Sequence, residues 1–298
     1  MEIAEGVHHQ QAASWSDYVG LTKPRVAALL LLTCLVAMVL AAAGAPSWRR
    51  VILTLVGGYL AAGGAGAING YLDRDLDARM GRTRRRAIPA GRLDPRHALI
   101  LGAALGLASA VVLWFGAHPL AAVLAILAFV QYVVVYTLWL KRRSPWNVVV
   151  GGFAGAAPPL VGWAAITGTL DPLALLLAAI ILSWTPAHFW ALALVRRDEY
   201  ADADVPMLPV VRGEGPTLRH ILAYAALTVV LSALPVLLGM LGTVYAVAAA
   251  ALGGTFLYRS VRLLPGAAVP ETRRFYFFTL LYLAALFVAM LVDCRVGW

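Results

Sequence analysis

The chain has 298 residues, 61% of them hydrophobic and 13% charged, with a formal net charge of +9 and a mean hydropathy of +0.80. A soluble domain carries about 25% charged residues, and a transmembrane barrel shows alternating strands of roughly ten residues. Neither pattern is present, which leaves an all-α, polytopic membrane protein whose helices satisfy their own backbone polar groups.

Residues 1–25 read as a polar tail and 26–298 as a single transmembrane domain. The first 22 residues hold several acids and no Lys or Arg, unlike a mitochondrial presequence. Apolar runs of the length that crosses ~30 Å of hydrocarbon are expected at 26–43, 51–70, 98–116, 119–140, 147–166, 172–194, 220–240, 242–260 and 275–293. Lys23-Pro24-Arg25 before the first run and the small residues Ala41 to Ala45 after it imitate a signal peptide. The run is too long for one and lies behind a mixed polar stretch. With a cytoplasmic N-terminus, 21 of the 24 Lys and Arg fall on one side, and only Arg49, Arg50 and Arg295 on the other. That is the positive-inside pattern. It predicts an external C-terminus, a bacterial plasma membrane as the simplest home, and no nucleic-acid partner: the basic charge orients the chain in a lipid bilayer. Cys34 and Cys294 lie in apolar runs without metal or redox spacing.

Orientation explains arginines but not aspartates. Of 15 acids, nine lie after the second and sixth runs: Asp73, Asp75, Asp77 and Asp94, then Asp198, Glu199, Asp202, Asp204 and Glu214. The segments are about 120 residues apart and share a shape, an apolar run leading into a helical acidic stretch and then a basic or proline-containing loop. A weak duplication is expected, with the acidic stretches facing each other. Asn69, Asp73 and Asp77 are spaced i, i+4, i+8, which stacks them on one helix face, with Asp75 pointing elsewhere. Asp198 and Asp202 repeat the i, i+4 spacing. Oxygen donors so placed suit a hard cation such as Mg²⁺, and acids at membrane helix ends are functional candidates. An EF-hand is excluded, since its glycine position holds Ala78 and its bidentate acid position Arg84. A solvated loop whose acids pair with nearby arginines is the bland alternative. Arg82, Arg84, Arg85 and Arg86 follow the first acidic stretch, Lys141, Arg142 and Arg143 follow the fourth run, and Arg212 follows the second stretch. Guanidinium forks beside metal-binding acids are what a polyphosphate requires.

The column N-x-x-x-D-x-x-x-D from Asn69 to Asp77, followed by Met80-Gly81-Arg82-Thr83, resembles the first signature of the UbiA-type intramembrane prenyltransferases. YTLWLKR (136–142), NVVVGGFAGAAPPLVGW (147–163), WTPAHFWALAL (184–194) and DEYADADVPMLPVV (198–211) resemble the haem-modifying branch of that family. The likeness runs from about Lys23 to Val211. Asp204 stands where that branch usually carries glycine. The resemblance implies a helical bundle with an intramembrane cavity open to the cytoplasmic side. It implies transfer of farnesyl from farnesyl diphosphate to a vinyl group of haem b, with water added, giving haem O and diphosphate. Mg²⁺ would be held by Asn69, Asp73, Asp198 and Asp202. Lys141, Arg142 and arginines from 82 to 86 would bind the diphosphate oxygens, and Tyr136, Trp184, Phe189 or Trp190 would face an allylic cation. The implied product acceptor is a haem A synthase or a terminal oxidase assembly factor.

His188 lies inside a run beside Pro186 and Phe189. It is either a contact to haem or a buried histidine bonded to a backbone carbonyl. His97, His118 and His220 are expected near the interfaces, and His8 and His9 in the tail. The rival functions are a prenyltransferase for an aromatic or quinone precursor, a transporter, and a haem-binding subunit without catalysis. A transporter places its key charges near the midplane, whereas these acids cluster at helix ends.

Overall fold

The computed structural model describes residues 13–42, 44–266 and 268–296; His8 and His9 lie outside these. Among the described residues the chain is helical and contains no strand. In order the helices are α1 (Trp15–Leu21), α2 (Pro24–Ala41), α3 (Trp48–Leu72), α4 (Arg74–Arg79), α5 (Pro95–Gly116) and α6 (Pro119–Val130, continued by a wider winding over Gln131–Leu140). They are followed by α7 (Asn147–Thr167), α8 (Pro172–Val195), α9 (Arg197–Asp202), α10 (Leu208–Val211), α11 (Glu214–Leu237), α12 (Thr243–Leu263) and α13 (Val269–Val296). Nine helices among the described residues, α2, α3, extended α6, α5, α7, α8, α11, α12 and α13, are long and apolar enough to cross a membrane.

The nine expected runs coincide with these nine helices. The largest differences are at α11 and α13, which begin six residues before their apolar runs. Each opens with polar residues, Glu214 and Arg219 in one and Glu271, Arg273 and Arg274 in the other, so the helix outruns the greasy segment. Part of the expected tail is also helix. α1 is fastened where Asp17 pairs with Arg92 at 2.8 Å and Tyr18 bonds His97 at 3.2 Å. Proline starts α2, α5, α6 and α8, where its missing N–H costs nothing.

Helices in lipid gain little from hydrophobic burial against each other and pack through small residues instead. α3 lies closely along α5. A Cβ on Gly102 would stand 2.7 Å from the carbonyl oxygen of Gly64 and 2.5 Å from Ile68. The main buried cluster joins α2, α8, α11, α12 and α13 through Val36, Leu177, Trp184, Ile221, Phe256 and Tyr282. Outward side chains such as Ile100, Phe115, Leu127, Val247 and Leu281 are exposed and apolar, as a lipid-facing surface requires. Because the spans alternate in direction, α1, α4, the 80–94 loop, residues 141–146, α9 and α10 all gather at one end of the bundle. That end holds the polar machinery.

Gly102→Ala is expected to destabilise the protein by about 1–3 kcal/mol, since rigid backbone rather than a flexible tip meets the new methyl. Gly254→Ala, which meets nothing within 4 Å, is its control. Thermal unfolding in detergent separates them, and equal melting temperatures would show that the α3–α5 contact has slack.

Candidate active site

The site is organised where α3 stops. Asp73 takes φ −92° and ψ 7°, the bridge region frequented by active-site residues, and α4 restarts as a separate helix. The expected column therefore bends at its middle member, and the three aspartates turn toward different cations. Asp73 is 1% exposed, Asn69 4% and Asp77 5%. Asn69 Nδ2 donates to Asp73 Oδ2 at 2.7 Å and to Thr137 Oγ1 at 3.1 Å. Asp73 Oδ2 also takes the ammonium of Lys141 in a short ion pair. Asp75 is gripped by both terminal nitrogens of Arg142 at 2.6 and 2.7 Å, and Asp77 by Arg86 at 2.7 Å. Hydrogen bonding to Arg142 holds the Asp75 carboxyl down to about 2. Burial disfavours the charge on Lys141, but Asp73 beside it outweighs burial and the net direction is upward.

Lys141 reaches Asp73 because the end of α6 is wound wide. Its N–H donates to Tyr136 O at 2.8 Å, five residues back, and Thr137 Oγ1 donates to Tyr132 O, also five back. Such windings recur at functional sites. The ring of Tyr136 lies against Gly151 of α7, where a Cβ would stand 2.4 Å from a ring carbon. A groove of about 410 Å³ runs past Leu72, Asp75, Thr137 and Arg142.

The second acidic segment meets the first. Arg79 of α4 pairs with Asp204 at 2.9 Å, and Tyr200 of α9 packs in the same cluster as Leu76 and Met80. Asp198 and Asp202 are exposed on the rim. Glu199 turns inward, one oxygen paired with Arg196 and Oε2 enclosed without a partner. Asp204 has φ 56°, a left-handed conformation that aspartate tolerates better than most residues. The backbone there matches the glycine expected at this position, and the carboxylate adds the link to Arg79. Arg82, Arg84 and Arg85 are exposed on the loop after α4, and Arg212 lies over the ring of Trp146.

A wall of rings stands beside these charges. His188 is buried and stacked between Trp184 at 4.4 Å and Tyr276 at 4.7 Å, with Phe189 edge-on at 5.3 Å. Its Nδ1 is 2.6 Å from the hydroxyl of Thr279, a side chain rather than a backbone carbonyl. Tyr276 lies within electrostatic reach of Arg82, Arg196 and Tyr200. Trp190 is fully buried, and Phe189 is 37% exposed. His118 caps α6 by accepting from Leu120 N–H, and His220 packs edge-on against Trp146 and Trp190.

The donor chemistry suits a hard cation. Asp73 Oδ1 is enclosed with no hydrogen-bond partner, and an orphan buried carboxylate oxygen is a ready ligand. Among the described residues no three acids, histidines or cysteines form one cluster, so the structure does not gather Asp73, Asp198 and Asp202 into a ready-made ligand set.

Lys23 is a member that sequence reading left among the orientation charges. Its amine donates to Asn69 Oδ1 at 2.5 Å, and its backbone is left-handed, φ 50°, which costs an L-residue about 1–2 kcal/mol. Strain of this kind collects at functional sites. The available signal was a lone lysine before the proline that starts the first span. Thr137, Tyr276 and Thr279 were also passed over. Their contacts cross between helices, and no local spacing marks them.

A sequence profile of the UbiA prenyltransferase family matches residues 30–292, and the chain belongs to that family. A relative from Marinobacter nauticus, described as a protoheme IX farnesyltransferase, is 46% identical over 96% of this chain and 94% of its own. One from Roseiflexus castenholzii with the same description is 52% identical over 93% of this chain, which spans about half (52%) of that longer relative. Among solved structures, a digeranylgeranylglyceryl phosphate synthase superposes with TM-score 0.79 at 17% identity, covering 94% of this chain and 98% of its own. A UbiA homologue from Archaeoglobus fulgidus bound to DMAPP and Mg²⁺ superposes with TM-score 0.66 at 16% identity, over 93% and 99%. These likenesses establish the fold.

Burial, with the nearby charges of Arg86 and Lys141, lowers Lys23 from the ordinary 10.5 to about 8. Between those values the unfolded chain holds the proton and the folded protein has lost it, so stability rises with pH through that window, and the penalty is fully present below it. Wild type is expected to gain on Lys23→Gln as pH is raised from about 8 to 10.5 in thermal unfolding. A gap independent of pH would place the amine in water.

Proposed function

We propose that the chain transfers farnesyl from farnesyl diphosphate to a vinyl group of haem b, with addition of water, giving haem O and diphosphate. The observation that carries this reading is the enclosed Asp73 with one unpartnered oxygen, its other oxygen paired with Lys141, set within a chain of this family. The name of the relative matched almost end to end supports the choice of acceptor.

Breaking the bond between the first prenyl carbon and the diphosphate oxygen leaves negative charge on the departing group. Preorganised cations facing that charge are usually the largest catalytic contribution. Lys141, Lys23 and Arg86 stand ready within one polar cluster, and Arg82, Arg84 and Arg142 lie on its rim. Asn69 and Asp73, with Asp198 and Asp202 from the second stretch, are the residues to hold Mg²⁺. A Mg²⁺ held by these residues would supply Lewis-acid chemistry that offsets the charge on the leaving group. Asp77 fixes Arg86, and Thr137 fixes the amide of Asn69. The allylic carbon left behind carries positive charge, which aromatic faces stabilise by ~2 kcal/mol or more once water is excluded. Tyr136 and Trp184 supply such faces, and His188 borders the space for the porphyrin. We place the polar end on the cytoplasmic side, with the cavity opening there and the C-terminus external. The product then passes within the membrane to a haem A synthase or an oxidase assembly factor.

Purified protein given haem b, farnesyl diphosphate and Mg²⁺ is expected to form haem O, identified by mass, and to stop in excess chelator. Asp73→Ala should lower the single-turnover rate by at least about 100-fold while haem binding changes little, since a ligand acting in the transition state affects rate more than affinity. Lys141→Ala should weaken diphosphate binding as well. Near-normal rates in Asp73→Ala would make the acidic column a salt-paired loop and nothing more.

A further inference from the structure

Thr279 lies within α13 and contacts α8 twice. Its carbonyl accepts from Trp184 Nε1 at 2.9 Å, and its hydroxyl lies 2.6 Å from His188 Nδ1. The same hydroxyl is 2.6 Å from the carbonyl oxygen of Tyr276, one turn back. A carbonyl only accepts, so the single hydroxyl proton is committed to Tyr276. The remaining contact then requires Nδ1 to carry a proton and donate it to Thr279. Rings of Trp184, Tyr276 and Phe189 surround the imidazole, and an unpaired charge is costly in such surroundings. The ring therefore holds that one proton, and Nε2 keeps its lone pair.

We propose that Thr279 is a positioning residue that locks His188 as the Nδ1–H tautomer, so that Nε2 binds the iron of the porphyrin substrate. The second half of this rests on the haem reading above; the tautomer does not. Histidines that bind metals almost always donate their other ring N–H to a fixed acceptor, which sets both tautomer and orientation. Here the acceptor is a hydroxyl whose own proton is tied down by the backbone. Trp184 is held by the carbonyl of the same residue, so one turn of α13 fixes two adjacent rings of α8. The iron bond would hold the porphyrin beside Tyr276, within reach of the charges around Arg82 and Arg196.

The test uses the full-length protein in detergent, labelled with ¹⁵N-histidine, the His188 signals being those lost in His188→Gln. Wild type and Thr279→Ser should show Nδ1 protonated and Nε2 bare, and Thr279→Val should shift toward Nε2–H. Ferric haem b titrated into the same proteins should give an imidazole-ligated EPR signal. It should bind Thr279→Val about 10–100-fold more weakly than wild type, with recovery in Thr279→Ser. A wild-type ring protonated at Nε2 overturns the tautomer, and that spectrum decides even if Thr279→Val does not fold. Unchanged haem affinity and EPR in Thr279→Val or His188→Gln overturns the iron bond. If those results come from a protein that makes haem O, the inference alone has failed. If wild type neither binds haem nor makes haem O, the iron bond falls together with the proposed function.

Discussion

A carboxylate enclosed at the end of a membrane helix has to be paired, because an isolated buried charge is prohibitively costly. The pairing of Asp73 with Lys141 meets that requirement and organises everything near it. It needs α3 to break at Asp73, so that the carboxylate turns off the helix axis. It needs α6 to widen before Lys141, and α7 to lack a side chain at Gly151 so that Tyr136 can lie flat. Asn69 then completes the arrangement, donating to Asp73 and accepting from Lys23.

The cluster is nearly but not wholly satisfied. One oxygen of Asp73 and one of Glu199 are enclosed and unpartnered, each on a different acidic segment. Most buried polar groups in proteins are hydrogen-bonded. The two orphan oxygens leave each acidic segment with acceptor capacity that the protein's own donors do not fill. The exposed pair Arg79–Asp204 joins those segments at a residue whose left-handed backbone suits glycine. Aspartate gives up some conformational ease there and gains an ion pair across the mouth.

The spans were legible because bilayer thickness imposes a length on apolar runs, and α11 and α13 were misjudged only where polar first turns carry the helix beyond lipid. Asn69, Asp73 and Asp77 were legible because spacing on a helix survives in sequence. The bend at Asp73 was not, since it depends on which cations arrive from Lys141, Arg142 and Arg86. Lys23 was hidden because one lysine beside a span reads equally well as an orientation signal. Thr279 was invisible for a different reason: its role lies in a proton count across two helices 91 positions apart.

The short helix α4 has little packing of its own beyond Leu76 and the buried Asp77. Its place is set by ion pairs to three other segments, through Arg142, Arg86 and Asp204. Two of these pairs are largely in water, where dissolved ions weaken them at a Debye length of about 8 Å at physiological ionic strength. The Asp73–Lys141 contact beneath is shielded from solvent. The mouth of the bundle is therefore tuned by the ionic strength outside, while its floor is not, and an anionic headgroup arriving from solution competes for the same cations that hold the rim together.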